Sequence, residues 1–213
     1  MRNYGKLKRA KYRNIILLCF FGFCAIALFT LNSCSSNTQI DPGIDAAVQA
    51  KLAQPVGLPG LPNLHKVSDD LYRGAQPSSE GMKQLEKLGV KTVVDLRSFH
   101  SDRDELKGTS LTYEHISMTA LTPEDKDVVR FLKVATDPNR TPVFVHCKQG
   151  ADRTGTMCAI YRIAVEGWSK DDAIEEMTKG GFEFHRIFQN LVKYIRRLDI
   201  DKIRNQAGLI EKN

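Results

Sequence analysis

Pro142-Val143-Phe144-Val145-His146-Cys147-Lys148-Gln149-Gly150-Ala151-Asp152-Arg153-Thr154-Gly155 is the stretch on which the fold turns. Val143, Phe144 and Val145 show no polar alternation, so Pro142 to His146 reads as a strand buried on both faces. Arg153 to Glu166 carries a helical pattern that Gly167 closes. Cys147 therefore lies at a strand end, and Arg153 lies six residues later at a helix start. A loop at that junction, wrapped with its N–H groups inward, makes a nest for a tetrahedral anion, and the helix N-terminus adds free donors and its positive dipole end. Gly150 permits a backbone turn costly to other residues, and Gly155 permits close helix packing. Lys148, Gln149, Gly150 and Ala151 would form the wall of the nest, with the planar fork of Arg153 gripping two oxygens of the anion.

The same donors favour a thiolate at Cys147, placed to attack phosphorus and form a phosphocysteine. Thr154 would donate a hydrogen bond to the sulfur, and His146 would orient the loop rather than act as a base. Cys158 falls mid-helix among Met157, Ala159 and Ile160 and reads as core.

Working outward, strand and helix signals alternate. Leu71–Arg73, Thr92–Arg97 and Tyr113–Met118 read as strands, and Ser79–Leu88 as a helix ended by Gly89. Thr122 reads as the N-cap of a helix running to about Ala135, with Pro123 at its first position and acids in its first turn. Ser169–Lys179 and His185–Arg197 are further helices. The expected fold is a single α/β domain over residues 66–200: a mostly parallel sheet of four to five strands flanked by helices, with a Cys-x5-Arg loop between a strand and a helix. Residues 34–65, rich in Ser, Pro and Gly, read as a linker holding one short helix over Ile44–Ala53, and residues 201–213 as a tail.

The charge is unevenly spread. The formal net charge of the 213 residues is +6, from 31 Lys+Arg and 25 Asp+Glu, but six cations sit within residues 2–13. The remainder is formally neutral, which argues against a nucleic-acid partner. Ile15–Leu31 is uncharged and apolar, so residues 1–33 read as a signal or membrane anchor with the basic end in the cytoplasm and the domain exported. Leu31-Asn32-Ser33-Cys34 resembles a bacterial lipoprotein signal acylated at Cys34, although Asn32 departs from the small residue usual there; a single uncleaved span is the alternative.

His-Cys-x-x-Gly-x-x-Arg-Thr-Gly resembles the signature of the protein tyrosine phosphatase superfamily, and the short domain resembles its dual-specificity branch. Tyr72-Arg73-Gly74-Ala75-Gln76-Pro77, Val93-Val94-Asp95-Leu96-Arg97 and the stretch from Gly167-Trp168-Ser169 to Gly180-Gly181-Phe182 are similar to small bacterial and atypical members. The resemblance implies a metal- and cofactor-independent phosphomonoester hydrolase, monomeric, acting on a phosphorylated protein. The alternative substrate is a small polyanion such as an inositol phosphate, for which Lys148 at the loop mouth and Asp152 are the features. The family usually supplies a general acid from an upstream mobile loop, here around Thr119–Asp127, which places Asp125 first, then Asp127 and Glu124; acids in a first helical turn also serve as caps. Asp152, just before Arg153, is the second route, as in relatives that donate the proton from within the loop. Arg73, Arg97 and His185 could line the pocket. A rhodanese-type sulfurtransferase is disfavoured by the Arg-Thr-Gly continuation, and a phosphate-binding module without catalysis is the non-enzymatic alternative.

Overall fold

In the computed structural model, which describes residues 51–210, the central strand is β6 (Val143–His146), buried at every residue. It lies between two parallel neighbours, β3 (Leu71–Gly74) and β4 (Thr92–Asp95), with Arg73 opposite Val145 and Asp95 opposite His146. β5 (Thr112–His115) pairs parallel to β4, and two short antiparallel strands, β1 (Gln54–Pro55) and β2 (His65–Lys66), extend the other edge through β3. The order is β1-β2-β3-β6-β4-β5, six strands among the described residues. The mostly parallel α/β sheet is the expected architecture. Of the two extra strands, β1 lies in the stretch read as linker and β2 straddles its end at His65, because two-residue strands are too short to show alternation and Pro55 is tolerated at a sheet edge. That stretch is part of the domain: Leu61 and Leu64 are buried against Tyr72, Met82 and Phe144.

The alternation along β6 divides the core. Phe144 faces α1 (Ser79–Lys87) with Met82 and Leu85, whereas Val143 and Val145 face the larger cluster on the opposite side. That larger side holds α2 (Asp125–Ala135), α3 (Asp152–Ala164), α4 (Lys170–Lys179), α5 (Gln189–Arg197) and α6 (Ile200–Ala207). Helix α3 follows the loop and is buried at every position but Arg153, so it is the axle on which the other helices pack.

Several boundaries differ from the sequence reading: β4 and β5 end earlier than expected, at Asp95 and His115. Helix α2 starts at Asp125 rather than after Thr122: Glu124 is an N-cap with extended backbone and no side-chain cap bond. Asn190 donates to the carbonyls of Ala120 and Leu121, which ties the preceding segment to α5. His185 lies outside α5, before a 3-10 turn at Arg186–Phe188. The tail is instead a helix over Ile200–Ala207, capped by Asp199 and seated through buried Ile203 and Ala207. The apolar run 15–31, Cys34 and most of the helix expected over 44–53 lie outside the described residues. Among the described residues no helix is long and apolar enough to cross a membrane.

Candidate active site

Cys147 emerges from β6 almost fully buried, at 3% exposure. The loop that follows is held from outside by its carbonyls. The amide of Gln76 donates to the carbonyl of Lys148 at 3.2 Å, Asn63 Nδ2 to that of Gln149 at 3.1 Å, and Arg73 Nη2 to that of Gly150 at 2.8 Å. With three successive carbonyls turned outward, the amides of Lys148 to Arg153 find no protein acceptor among the described residues. Amides left unclaimed in this way are what an anion nest needs. Gly150 is required twice: its φ is +74°, and a Cβ there would lie 2.5 Å from the carbonyl group of Gly74. Gly155 lets α4 approach α3, since a Cβ there would meet Met177 Cγ at 2.9 Å.

The side chains around the loop fall into two sets. Arg153 Nη1 donates to the carbonyls of Leu96 and Met118, at 3.3 and 3.4 Å, which lodges its guanidinium between the loops after β4 and β5. Thr154 is fully buried and its Oγ1 has no partner, leaving its hydroxyl free to donate. Lys148 and Gln149 are exposed, and Ala151 is buried beneath them. His146, also fully buried, stacks on Phe144, and its Nε2 lies 2.6 Å from Asp102 Oδ2. Asp102 also accepts from Gln76 Nε2 at 2.6 Å, and Gln76 accepts from Arg97 at 2.8 Å. Burial alone would push the Asp102 carboxyl up, but His146, Gln76 and His100 outweigh it and hold it below the usual range. Asp152 is buried, with one oxygen 2.9 Å from the amide of His185 and the other 2.8 Å from its Nδ1. Asp95–Asp102–His146 and His100–Asp102–Glu105 each bring three ligand-type atoms within 4.8 Å, but both groups rely on Asp102, whose oxygens are already taken by Gln76 and His146.

The strand–loop–helix geometry can be set beside known proteins. Residues 62–193 match the family model described as a DSP-PTPase phosphatase fused to NAD+ kinase. The chain belongs to this DSP-PTPase family. The dual specificity protein phosphatase TpbA of Pseudomonas aeruginosa is 37% identical over 145 residues, 67% of this chain and 65% of TpbA. The chain thus spans about two thirds of the length of that curated relative. A crystal structure of a Cys-to-Ser form of TpbA in complex with pTyr superposes with a TM-score of 0.66 at 34% identity, covering 74% of this chain and 96% of that one. The inositol diphosphatase DSP5 of Arabidopsis thaliana is 28% identical over 154 residues, 67% of this chain and 72% of DSP5.

Within this DSP-PTPase domain the upstream acids do not converge on the loop. Asp125, the first choice from sequence, accepts from Tyr194 at 2.9 Å and faces Lys202 at 3.6 Å, so its bonds lead to α5 and α6. Glu124 pairs with Lys126 at the surface. Asp127 lies in the first turn of α2, where burial and Glu124 push its carboxyl up. Cys158 is core, and burial pushes its thiol up to about 11. Sequence reading assigned no role to Asn63, Gln76, Asp102 or Phe182. Gln76 lies in the quoted Tyr72–Pro77 motif, so a signal existed. Asn63 sits in the Pro- and Gly-rich stretch at φ 55°, a left-handed position that Asn tolerates but no periodicity marks.

Proposed function

We propose that the protein hydrolyses phosphomonoesters through a phosphocysteine, with phosphotyrosine or mixed phosphoprotein as substrate. The observation that carries this reading is the ring of partnerless amides from Lys148 to Arg153 beside Cys147. These amides and Arg153 bind the three non-bridging oxygens, and their charge complementarity grows as the transition state forms. The Cys147 sulfur attacks phosphorus as the bond to the leaving oxygen breaks, and that oxygen takes a proton from Asp152. Water then attacks the phosphocysteine, giving its proton back to Asp152, while the S–P bond breaks and Thr154 donates to the departing sulfur. Asp152 suits the proton transfers by its place beside Arg153 at the loop's end, and its partner there is His185, whose side chain is 41% exposed.

Three exposed apolar side chains close in the chain to site residues support a protein substrate over an inositol phosphate. Phe99, Leu121 and Ile187 are 103%, 73% and 84% exposed. Phe99 and Leu121 each follow by three residues a carbonyl that holds Arg153, and Ile187 follows His185 by two. On that chain proximity we place the three side chains near the loop mouth, where an aromatic phosphoester with apolar neighbours would gain contact and an inositol phosphate has no apolar face to offer. The relative TpbA crystallised with pTyr supports the same choice. Lys148 and the similarity to DSP5 support the second reading, an inositol phosphate acted on by the same loop.

Turnover of a phosphotyrosine peptide against an inositol phosphate panel separates the two. Phe99→Ala should raise KM for the peptide about three- to tenfold, the scale of losing part of one aromatic contact, and leave any inositol phosphate turnover unchanged. Faster turnover of inositol phosphates, untouched by the substitution, would sink the protein-substrate reading.

A further inference from the structure

Two arginines are buried in the domain, and they are satisfied in opposite ways. Arg162 is gripped by carboxylates: Nε and Nη2 donate to Glu176 at 2.9 and 2.7 Å, and Nη1 to Glu166 at 2.6 Å and to the carbonyl of Val67 at 3.1 Å. This is how a structural guanidinium offsets its desolvation. Arg73, 1% exposed, makes no ion pair with a carboxylate among the described residues. Its Nη2 donates to the carbonyl of Gly150 at 2.8 Å, its Nε has no partner among the described residues, and its Cζ lies over the Phe182 ring, 3.6 Å from the ring centre. Glu176, the nearest buried acid, already gives both oxygens to Arg162 and one of them also to the amide of Ala53. A fully buried cation lacking a direct counter-ion is costly, and this one bonds the loop that binds an anion.

We infer that Arg73 is a positioning residue for the phosphate-binding loop: it turns the Gly150 carbonyl outward and leaves a positive charge behind the loop, whose counter-ion is the bound phosphate together with the Cys147 thiolate. The inference rests on the phosphatase reading and adds to it a residue that does not touch substrate. Three observations make the placement specific. The approach of Gly150 to Gly74 leaves no room for a Cβ, so the loop and the end of β3 are pressed together where Arg73 reaches across. Gly155 lies close on the other side, where a Cβ would stand 3.6 Å from Arg73 Nη2. Phe182 holds the guanidinium flat by its ring face and is itself linked to the loop, since Asn63 donates both to the Phe182 carbonyl at 3.3 Å and to that of Gln149. The loop thus has an outer brace of Asn63, Arg73 and Phe182 facing away from the substrate.

The test uses Arg73→Met and Arg73→Lys in the full chain, with three readouts: inhibition by vanadate, alkylation of Cys147 by iodoacetamide at pH 6, and the melting temperature. Arg73→Met should weaken vanadate inhibition about tenfold or more, as expected for losing a charged donor near an anion, and slow alkylation of the folded protein. Arg73→Lys keeps the charge without the fork and should recover part of both losses. Phe182→Leu keeps the cation but removes its ring; it should weaken vanadate inhibition a few-fold, and it serves as the test if Arg73→Met does not fold. A structural role alone would lower the melting temperature while leaving vanadate affinity and alkylation rate per folded molecule within twofold of wild type, and that result overturns the inference. Wild-type protein that neither turns over aryl phosphate nor is protected from alkylation by inorganic phosphate overturns the phosphatase reading first, and this inference with it.

Discussion

The loop after β6 and the segment after β5 leave the sheet at the same edge, because β4, β5 and β6 run parallel. Both supplied candidate catalytic groups, and the fold uses them differently. In the loop, neighbours bind the carbonyls of Lys148, Gln149 and Gly150 and so leave the opposite face, with its amides, unclaimed. In the other segment it is the reactive groups that are claimed: Asn190 holds the carbonyls of Ala120 and Leu121, and Tyr194 and Lys202 hold the Asp125 carboxylate. Burial and the Asp125 carboxylate push the Tyr194 hydroxyl far above its ordinary value, so it stays protonated as the donor to Asp125. The loop amides are recognised less by their type than by the bonds the fold has left free, and the two aspartates differ in where their partners lie: Asp152 is bonded to His185 beside the loop, Asp125 to α5 and α6.

The comparison is most easily broken at its centre. Cys147→Ser should lower turnover of an aryl phosphate by about 10⁴-fold or more without loss of folding, as removal of a nucleophile does elsewhere. Retention of even a hundredth of the activity would mean that the partnerless amides surround the wrong atom.

The acids sharpen it at a smaller scale. Asp152→Asn should cost about 10²- to 10⁴-fold on an alkyl or phenyl phosphate with a poor leaving group, and much less on an activated aryl phosphate. Asp125→Asn should leave kcat on both substrates within about twofold, because its carboxylate serves α5 and α6. The reverse pattern in parallel steady-state measurements would return the proton donor to the segment after β5.

The smallest effect concerns the brace behind His146. Asp102 is held below the ordinary carboxylate value of about 3.9, so its stabilisation is present above that pH and is lost as pH falls through the lower folded value. Wild-type melting temperature should therefore fall steeply below about pH 4. Asp102→Asn should melt lower than wild type at neutral pH and show a flatter acid limb. Parallel acid limbs for the two proteins would remove Asp102 from the support of the loop.

What the sequence determined by itself was local. The run Val143–Val145, the spacing from Cys147 to Arg153 and the two glycines set a strand, a loop and a helix, because β-branching, positive φ and a free helix end are properties of neighbouring residues. Gly89 and Gly167 ended helices for the same reason, with φ of 84° and 74°. Only the tertiary structure decided which side chains meet. Asn63, Gln76 and Asp102 brace the loop from 86, 72 and 44 residues away from Gln149, Lys148 and His146. Asp125, in the right stretch for an acid, turns to helices 69 and 77 residues further on. A hydrogen bond between residues so far apart leaves no periodicity, cap or turn signature in the chain, since its energy depends on where packing brings two backbones together.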